Sequence, residues 1–528
     1  MQFTLNRVIY LTSFFFVSFY NFAFFAHVTD VYPLGENIAF LVSLTVVLFF
    51  FIVFLLQLLS YRYTLKPLLI FFFISSSFAA YFMDAYGVMI DDGMLVNALQ
   101  TDGAETLGLL SVKMGMYFVL LGLLPSYLVY KTKVVYEMTL KKKVMAKVTS
   151  LGIALVMIIA TIALFGGNYA SFFREHKQLR QYTNPPFWIY SVGKVTKKLT
   201  ANADRPIEQI GMDAKITKEG RRKILVMVVG EAARWDHFSL NGYERETNPQ
   251  LKKQEIINLP KVSSCGTSTA HSVPCMFSMK DRAQFDMDDA KFEENVIDVI
   301  NHTGQVAILW RDNNSNSKGV ADRVAYENYK SSENNTMCEG ECRDEGMLVG
   351  LDAFIEANQE KDILIVLHQM GNHGPEYYKR SPEAFKKFTP ECTTNQLEAC
   401  TQEEITNAYD NAILYTDDFL VKTIDFLRQY DEDNAVGMIY MADHGESLGE
   451  NGIYLHGIPY MFAPEAQTHV GSLMWFGENT QSQMKYKALK QKSDQSFSQD
   501  NLAHTLLGFF NVETTVYQTQ KDIFNVSQ

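Results

Sequence analysis

The sequence predicts an α/β soluble domain, built on a mostly parallel sheet between helices, behind an N-terminal domain of five transmembrane helices. Three observations carry that expectation. The long apolar runs are confined to the first 167 of 528 residues, although hydrophobic residues make up 47% of the whole. Beyond Lys223 the apolar runs shorten to strand length and alternate with helical patterns, as a parallel sheet requires. Three of those strands end beside glycine and a side chain able to bind metal.

Five runs are long enough to cross a bilayer, near Val8–Ala26, Ile38–Ser60, Pro67–Met83, Val112–Tyr130 and Val148–Gly167. The first is long and four more follow it, which argues against a cleaved signal peptide. The loops Tyr61–Lys66 and Lys131–Lys147 hold Arg62, Lys66, Lys131, Lys133, Lys141, Lys142, Lys143 and Lys147, whereas His27–Asn37 and Asp84–Ser111 hold no lysine or arginine. Positive loops stay inside, so five crossings place the C-terminal region on the far side.

The second outer loop carries Asn97, Thr101 and Glu105 at helical spacing on one face, a solvated loop helix or a patch for a lipid head group. After the last span, Tyr169–Tyr190 mixes Phe172, Phe173, Tyr182, Phe187 and Trp188 with Arg174, Lys177 and Arg180. That mixture fits a helix lying on the lipid surface, ended by Asn184-Pro185-Pro186. A charged linker, about Thr196–Arg222, then leads to the soluble part. The expected divisions are 1–168 for the spans, 169–222 for interfacial helix and linker, and 223–528 for the catalytic domain.

Ile224–Val229 reads as a buried strand ending at Gly230-Glu231, Ile363–Leu367 as a second ending at His368 to His373-Gly374, and Val436–Met441 as a third ending at Asp443-His444-Gly445-Glu446. Ile405–Gln429 is an amphipathic helix between the last two. Ligands of such sheets bind outside the carboxyl ends of the strands, which is where Glu231, His373, Asp443 and His444 fall. Two acids, an imidazole and a hydroxyl suit zinc first, with manganese or magnesium behind it.

The hydroxyl comes from Ser263-Ser264-Cys265-Gly266-Thr267-Ser268-Thr269-Ala270-His271, a run of small residues before an apolar segment. A turn feeding a helix N-terminus favours anions, and a divalent ion lowers a hydroxyl pKa enough to make a nucleophile. Thr267 and Thr269 are both candidates on this ground. His271 reads as a residue of the first helical turn without a catalytic role. His302, His469 and His504 read as packing or surface residues, and His237 divides evenly between packing and support of the ligand strand.

All six cysteines lie beyond residue 260, in three local pairs: Cys265 with Cys275, Cys338 with Cys342, and Cys392 with Cys400. Disulfides in an oxidising compartment are expected, with neighbour pairing one of 15 connectivities. The net charge of −12 argues against a nucleic-acid partner.

In combination the motifs are similar to those of the lipid A phosphoethanolamine transferases, which include the mobile colistin-resistance enzymes. The matching pieces are Val229-Gly230-Glu231, Asn241-Gly242-Tyr243, Ser264 to Cys275, Trp310-Arg311-Asp312-Asn313-Asn314 with Lys318-Gly319, Gly371-Asn372-His373-Gly374-Pro375, Tyr409-Asp410-Asn411, Ala442-Asp443-His444-Gly445-Glu446-Ser447 and His456-Gly457. The resemblance implies an alkaline-phosphatase-like domain on five membrane helices. It implies Thr269 as nucleophile, with Glu231, Thr269, Asp443 and His444 holding Zn2+. His373 and His456 would bind substrate phosphate or a second zinc, or carry protons. Asn313 and Lys318 would hold phosphoethanolamine, and Asn97, Thr101 and Glu105 would meet the lipid. The implied disulfides are Cys265–Cys275, Cys338–Cys342 and Cys392–Cys400. The second encloses only three residues, a tight closure.

The implied reaction takes phosphoethanolamine from phosphatidylethanolamine through a covalent phosphoethanolamine-threonine to a lipid A phosphate, lowering outer-membrane negative charge and conferring polymyxin resistance. The expected setting is the bacterial inner membrane, with a monomeric chain and its catalytic domain in the periplasm. Two rivals remain: a phosphoglycerol transferase of the lipoteichoic acid synthase type, and a non-catalytic lipid-binding membrane protein. A sulfatase is disfavoured because there is no Cys-x-Pro-x-Arg segment.

Overall fold

The structure is a computed structural model and describes residues 2–100, 108–136, 139–201, 205–217 and 220–525. It contains two compact units, one of Met1–Leu95 with Leu110–Thr200, the other of Val96–Leu109 with Ala201–Gln528.

In the first unit α1 (Leu5–Phe19) and α2 (Phe22–Val31) are followed by α3 (Leu34–Leu59) and α4 (Leu65–Tyr86). A short α5 (Asp92–Gln100) comes next in the chain. Then come α6 (Val112–Lys131) and α7 (Leu140–Leu164), and α8 (Gly166–Glu175) and α9 (Pro186–Ala201). Four of these, α3, α4, α6 and α7, are each long and apolar enough to span a membrane; α1 and α2 qualify together as a pair bent by 57°.

Hydropathy predicts a continuous first span, but the helix breaks at Tyr20-Asn21. The cause is a buried polar cluster. Asn21 Nδ2 donates to the carbonyls of Phe16 (3.0 Å) and Asn184 (2.7 Å), and its Oδ1 accepts the Asn184 N–H at 2.9 Å. Asp84 accepts the Ala23 N–H at 2.9 Å, filling a first-turn donor of α2 that the Asn21 side chain does not cap. Backbone groups freed at membrane depth need such partners.

The segment 169–190 also departs from a single surface helix. Pro186 does not end a helix but begins α9, the position where its fixed φ and missing N–H are tolerated. Phe172, Tyr182 and Trp188 are buried. Phe172 packs on α3, 6.3 Å from Phe40, and Trp188 packs on α4, 5.7 Å from Phe72, between ring centres. The basic loops meet at one end of the bundle. There Lys66 Nζ donates to the Tyr130 carbonyl (2.8 Å) and Lys147 Nζ to that of Leu58 (3.2 Å), both near helix C-termini where cations are favoured.

The second unit is organised by a seven-stranded sheet. In chain order its strands are β1 (Lys223–Gly230), β2 (Ile256–Asn258), β3 (Val306–Asp312), β4 (Ala325–Asn328), β5 (Asp362–His368), β6 (Ala435–Ala442) and β7 (Ser472–Phe476). They lie in the order β2-β7-β6-β1-β5-β3-β4; β6, β1, β5, β3 and β4 pair in parallel, and β7 pairs antiparallel with β6 and β2. The central strands are apolar between their ends and buried along almost their whole length, as in a parallel sheet covered on both faces. Register brings Val229 opposite His368 and Met441, so β1, β5 and β6 reach the same sheet edge together. The helix α10 (Thr269–Met276) follows the turn at Ser268. The long helix α11 (Gln402–Arg428) opens on a Thr401/Glu404 capping box.

The cysteines are bonded as Cys265–Cys275, Cys338–Cys342 and Cys392–Cys400, the neighbour pairing. Cys265–Cys275 ties the turn before α10 to the end of that helix. Cys338 and Cys342 face each other across a short antiparallel pair, Cys338–Glu339 with Glu341–Cys342. Cys392–Cys400 closes the loop that leads into α11, where the Cys392 N–H donates to the Glu404 carbonyl at 3.0 Å.

On α11, Asp417 is buried and accepts the N–H groups of Gln250 and Leu251, each at 2.9 Å. Burial pushes its carboxyl up to about 7. A raised folded-state pKa contributes stability below the ordinary carboxyl range that is lost as pH rises through about 7. The melting temperature of Asp417→Asn minus that of the native chain should therefore increase between about pH 5 and pH 8, the window below and above this value.

Candidate active site

Strand ends bring the acids together. Glu231 follows β1, and Asp443 and His444 follow β6; all three are fully buried. His444 Nε2 lies 3.4 Å from Glu231 Oε1 and 3.4 Å from Asp443 Oδ2. Asp443 Oδ1 is held by the N–H groups of Ala232 (3.1 Å) and His444 (2.7 Å), which leaves Oδ2 turned inward. Close approach demands special backbone here. Ala232 sits at φ +51°, and a Cβ at Gly371 (φ +48°) would stand 3.0–3.1 Å from Glu231 atoms.

Thr269 begins α10, and its Oγ1 donates to Glu231 Oε2 at 3.1 Å and lies 3.4 Å from His444 Nε2. The N-cap residue, Ser268, makes no side-chain cap, and the N-terminus of a helix favours negative charge. Thr267 is placed differently: its Oγ1 donates to the Ile458 carbonyl at 2.6 Å, and its own carbonyl accepts the Gly457 N–H at 2.7 Å. Two bonds thus stitch the loop after His456 across the turn, and the Thr267 hydroxyl is already engaged. Gln499, missed in the sequence, ties the turn to β6. Its Oε1 accepts the Cys265 N–H (2.6 Å) and its Nε2 donates to the carbonyls of Ala442 (2.7 Å) and Asp443 (2.8 Å).

The donor set fits a divalent ion. Glu231 Oε1 and Asp443 Oδ2 are buried with no hydrogen-bond partner among the described residues, a costly arrangement unless a cation satisfies them. Ligand atoms of Glu231, Asp443 and His444 lie within 4.8 Å of one another. His444 Nδ1 is 2.7 Å from the Gly445 carbonyl, which can only accept; the proton therefore sits on Nδ1 and a lone pair on Nε2 faces the acids. Burial, and next the charge of Asp443, push the Glu231 carboxyl well above its usual range, while burial pushes His444 down to about 4. A dication would offset the repulsion between the two acids.

Two more imidazoles flank this cluster. His456 lies 4.2 Å from His444 and 6.1 Å from His373, between ring centres. His456 Nδ1 donates to Glu446 Oε2 at 2.8 Å, and Tyr377 donates to the other oxygen of Glu446 at 2.6 Å. His373 Nδ1 donates to the Gly374 carbonyl at 2.8 Å. Glu446 was visible in the sequence only as part of a motif; the structure gives it a partner.

Other expected residues fall apart. Asn313 Nδ2 donates to the Cys342 carbonyl (2.9 Å) and Asp344 (2.8 Å), and the residue lines a small cleft of about 140 Å³ beside His373 and Glu376. Lys318 lines a different cavity, about 450 Å³, with Ala270 and Pro274 of α10. The neighbour Asn314 is the one that reaches the acids: its Nδ2 donates to Glu231 Oε2 at 2.7 Å and to the Gln369 carbonyl at 2.7 Å. Asn97 is half-buried on α5, and Thr101 and Glu105 lie outside the described residues. His237 is held by Asp410 at 2.6 Å in a cluster with Tyr243 and Arg245. His302, His469 and His504 bond to Glu294, to Glu465 with the Pro260 carbonyl, and to the Gln518 N–H. His271 packs on Phe285 with ring centres 5.4 Å apart. The disulfides divide in the same way. Only Cys265–Cys275 brackets Thr269, whereas Cys338, Cys342, Cys392 and Cys400 offer no ligand to the acid cluster. Their role is to close loops, and Cys342 touches the site's surroundings through its carbonyl on Asn313.

A family model described as "Phosphoethanolamine transferase EptA/EptB" matches residues 48–200, and one described as "Sulfatase" matches residues 223–512. Phosphatidylethanolamine transferase Mcr-2 of Escherichia coli is 47% identical over 505 residues, covering 93% of this chain and 92% of that one. The chain belongs to the phosphoethanolamine transferase family. Phosphoethanolamine transferase EptA of Escherichia coli (strain K12) is 38% identical over 514 residues, covering 95% of this chain and 93% of the relative. The structure of the integral membrane lipooligosaccharide phosphoethanolamine transferase A from Neisseria meningitidis superimposes with a TM-score of 0.96 at 34% identity, covering 100% of this chain and 99% of that one.

For a transferase of this family, the Asn314 amide is an outer partner that fixes the direction of Glu231. Asn314→Ala should weaken divalent-metal affinity by about 10–100-fold. Competition with a chromogenic chelator measures this directly.

Proposed function

We propose that this chain transfers phosphoethanolamine from phosphatidylethanolamine to a lipid A phosphate, at the periplasmic face of a bacterial inner membrane, through a covalent phosphoethanolamine-threonine intermediate at Thr269. The observation that carries the reading is the position of Thr269 Oγ1, at the N-terminus of α10 and within 3.4 Å of Glu231 and His444. The membrane helices keep the domain at the lipid surface that supplies the donor.

Glu231, Asp443, His444 and the Thr269 oxygen would hold a zinc ion, which when bound acts as a Lewis acid and lowers the pKa of the hydroxyl. The Thr269 hydroxyl already has a proton acceptor in Glu231 Oε2. Its oxygen attacks phosphorus in line with the diacylglycerol oxygen, and the P–O bond to glycerol breaks. The N-terminus of α10 would favour the anionic phosphoryl oxygens, and Lys318 would add positive charge from the cavity flanking that helix.

The departing oxygen needs a proton. His456 would supply it, because the Glu446 carboxylate at 2.8 Å from its Nδ1 can balance the charge of a protonated ring. A lipid A phosphate oxygen then attacks the same phosphorus, restoring Thr269 and giving ping-pong kinetics. Exchange of a phosphate charge for a zwitterion weakens binding of cationic peptides such as polymyxins.

Mass spectrometry of lipid A from cells expressing the chain tests the reading. A phosphoethanolamine addition is expected. Unmodified lipid A, or a phosphoglycerol product, would overturn it.

A further inference from the structure

We propose that the first unit holds one anionic phospholipid in a trough separate from the catalytic cluster, with an acyl chain along α3 and the phosphate at Arg180. The trough encloses about 480 Å³, within the range of sites that enclose small ligands. Leu44, Val47, Leu48 and Phe51 form its floor at i, i+3, i+4 and i+7, one face of α3 about 10 Å long. Leu44 and Leu48 are buried, while Phe51 on the floor and Phe173 and Tyr190 on the walls are 43%, 44% and 64% exposed, so the trough is open along one side.

The rim decides the occupant. Arg180, on the turn Lys177–Tyr182, lines the trough and is exposed. Thr183 and Pro186 stand beside it, and no Asp or Glu is among the described residues that line the trough. A guanidinium meets a phosphodiester with paired donors. An ammonium head group would find no carboxylate among those residues, so a lipid with net negative charge is preferred over a zwitterionic one. The phosphate end lies at the end of the bundle away from Lys66: Tyr182, in the same turn as Arg180, donates to the Gly87 carbonyl at 2.8 Å, and Gly87 caps the C-terminus of α4, whose first turn carries Lys66. That end is the one expected to face the periplasm, so the lipid belongs to the outer leaflet.

The test uses the full chain in nanodiscs made from equal amounts of phosphatidylglycerol and phosphatidylethanolamine, released gently into a native mass spectrometer. The native chain should retain one phosphatidylglycerol in preference to phosphatidylethanolamine. Arg180→Gln should reduce that preference by about fivefold, the effect of one basic residue on an anionic lipid, without changing the melting temperature. Leu48→Trp, which fills the floor, should lower retention of both lipids; if it fails to fold, Val47→Phe replaces it. Equal retention of the two lipids by the native chain, or undiminished preference in Arg180→Gln, overturns the proposal.

Discussion

Thr269→Ala should abolish transfer, by about 10⁴-fold or more, while leaving the fold in place and divalent-metal binding by Glu231, Asp443 and His444 largely intact. The substitution removes one hydroxyl from the first position of α10, and Glu231, Asp443 and His444 remain on strand ends that do not depend on it. Alanine is also the better helix former, so α10 has no reason to unwind. Thr269→Ser keeps the oxygen and should retain transfer. Thr267→Ala supplies the contrast. It loses the bond to the Ile458 carbonyl, and should lower stability with only an indirect effect on rate. Turnover of donor lipid by Thr269→Ala at a substantial fraction of the native rate would remove this residue from the chemistry.

Asp443→Ala is expected to cost more metal affinity than the roughly 10–100-fold typical of an outer partner such as Asn314. It deletes a carboxylate oxygen that lies 3.4 Å from His444 Nε2 and has no hydrogen-bond partner among the described residues, and leaves Glu231 as the only acid of the set. The variant also frees the Ala232 and His444 N–H groups, so some stability is lost along with the ligand. Elemental analysis after extensive dialysis, native against variant, separates this account from a lipid-binding protein without catalysis. Equal metal content in the two would contradict the ligand assignment.

Much of this was legible in the chain because parallel strands buried on both faces announce themselves as short apolar runs. Val229-Gly230-Glu231 and Ala442-Asp443-His444 each mark the point where a run ends, and a shared sheet edge brings them together. The capping box at Thr401 and Glu404 likewise follows from local pattern, and the close spacing of Cys338 with Cys342 and of Cys392 with Cys400 favours the neighbour pairing found. What escaped depends on side-chain direction or on partners remote in sequence. Asn313 and Asn314 are adjacent and alike in chemistry, yet one amide bonds Asp344 and the other bonds Glu231. The break in the first span is silent to hydropathy, since Asn21 is satisfied by Asn184, 163 residues away. Gln499 supports the Cys265 turn across 234 residues, with no local motif to flag it. Pro186 read as a stop, yet it starts α9, and packing of Trp188 against Phe72 of α4 accompanies that start.

The central claim is that one threonine oxygen carries the transferred group. Incubation of the full-length chain in detergent with phosphatidylethanolamine, without acceptor, followed by intact mass and peptide mapping, tests it most directly. A single phosphoethanolamine adduct on Thr269, absent from Thr269→Ala and discharged by adding lipid A, is the expected result. An adduct on another residue, or efficient transfer to lipid A with no adduct at any time, would contradict it.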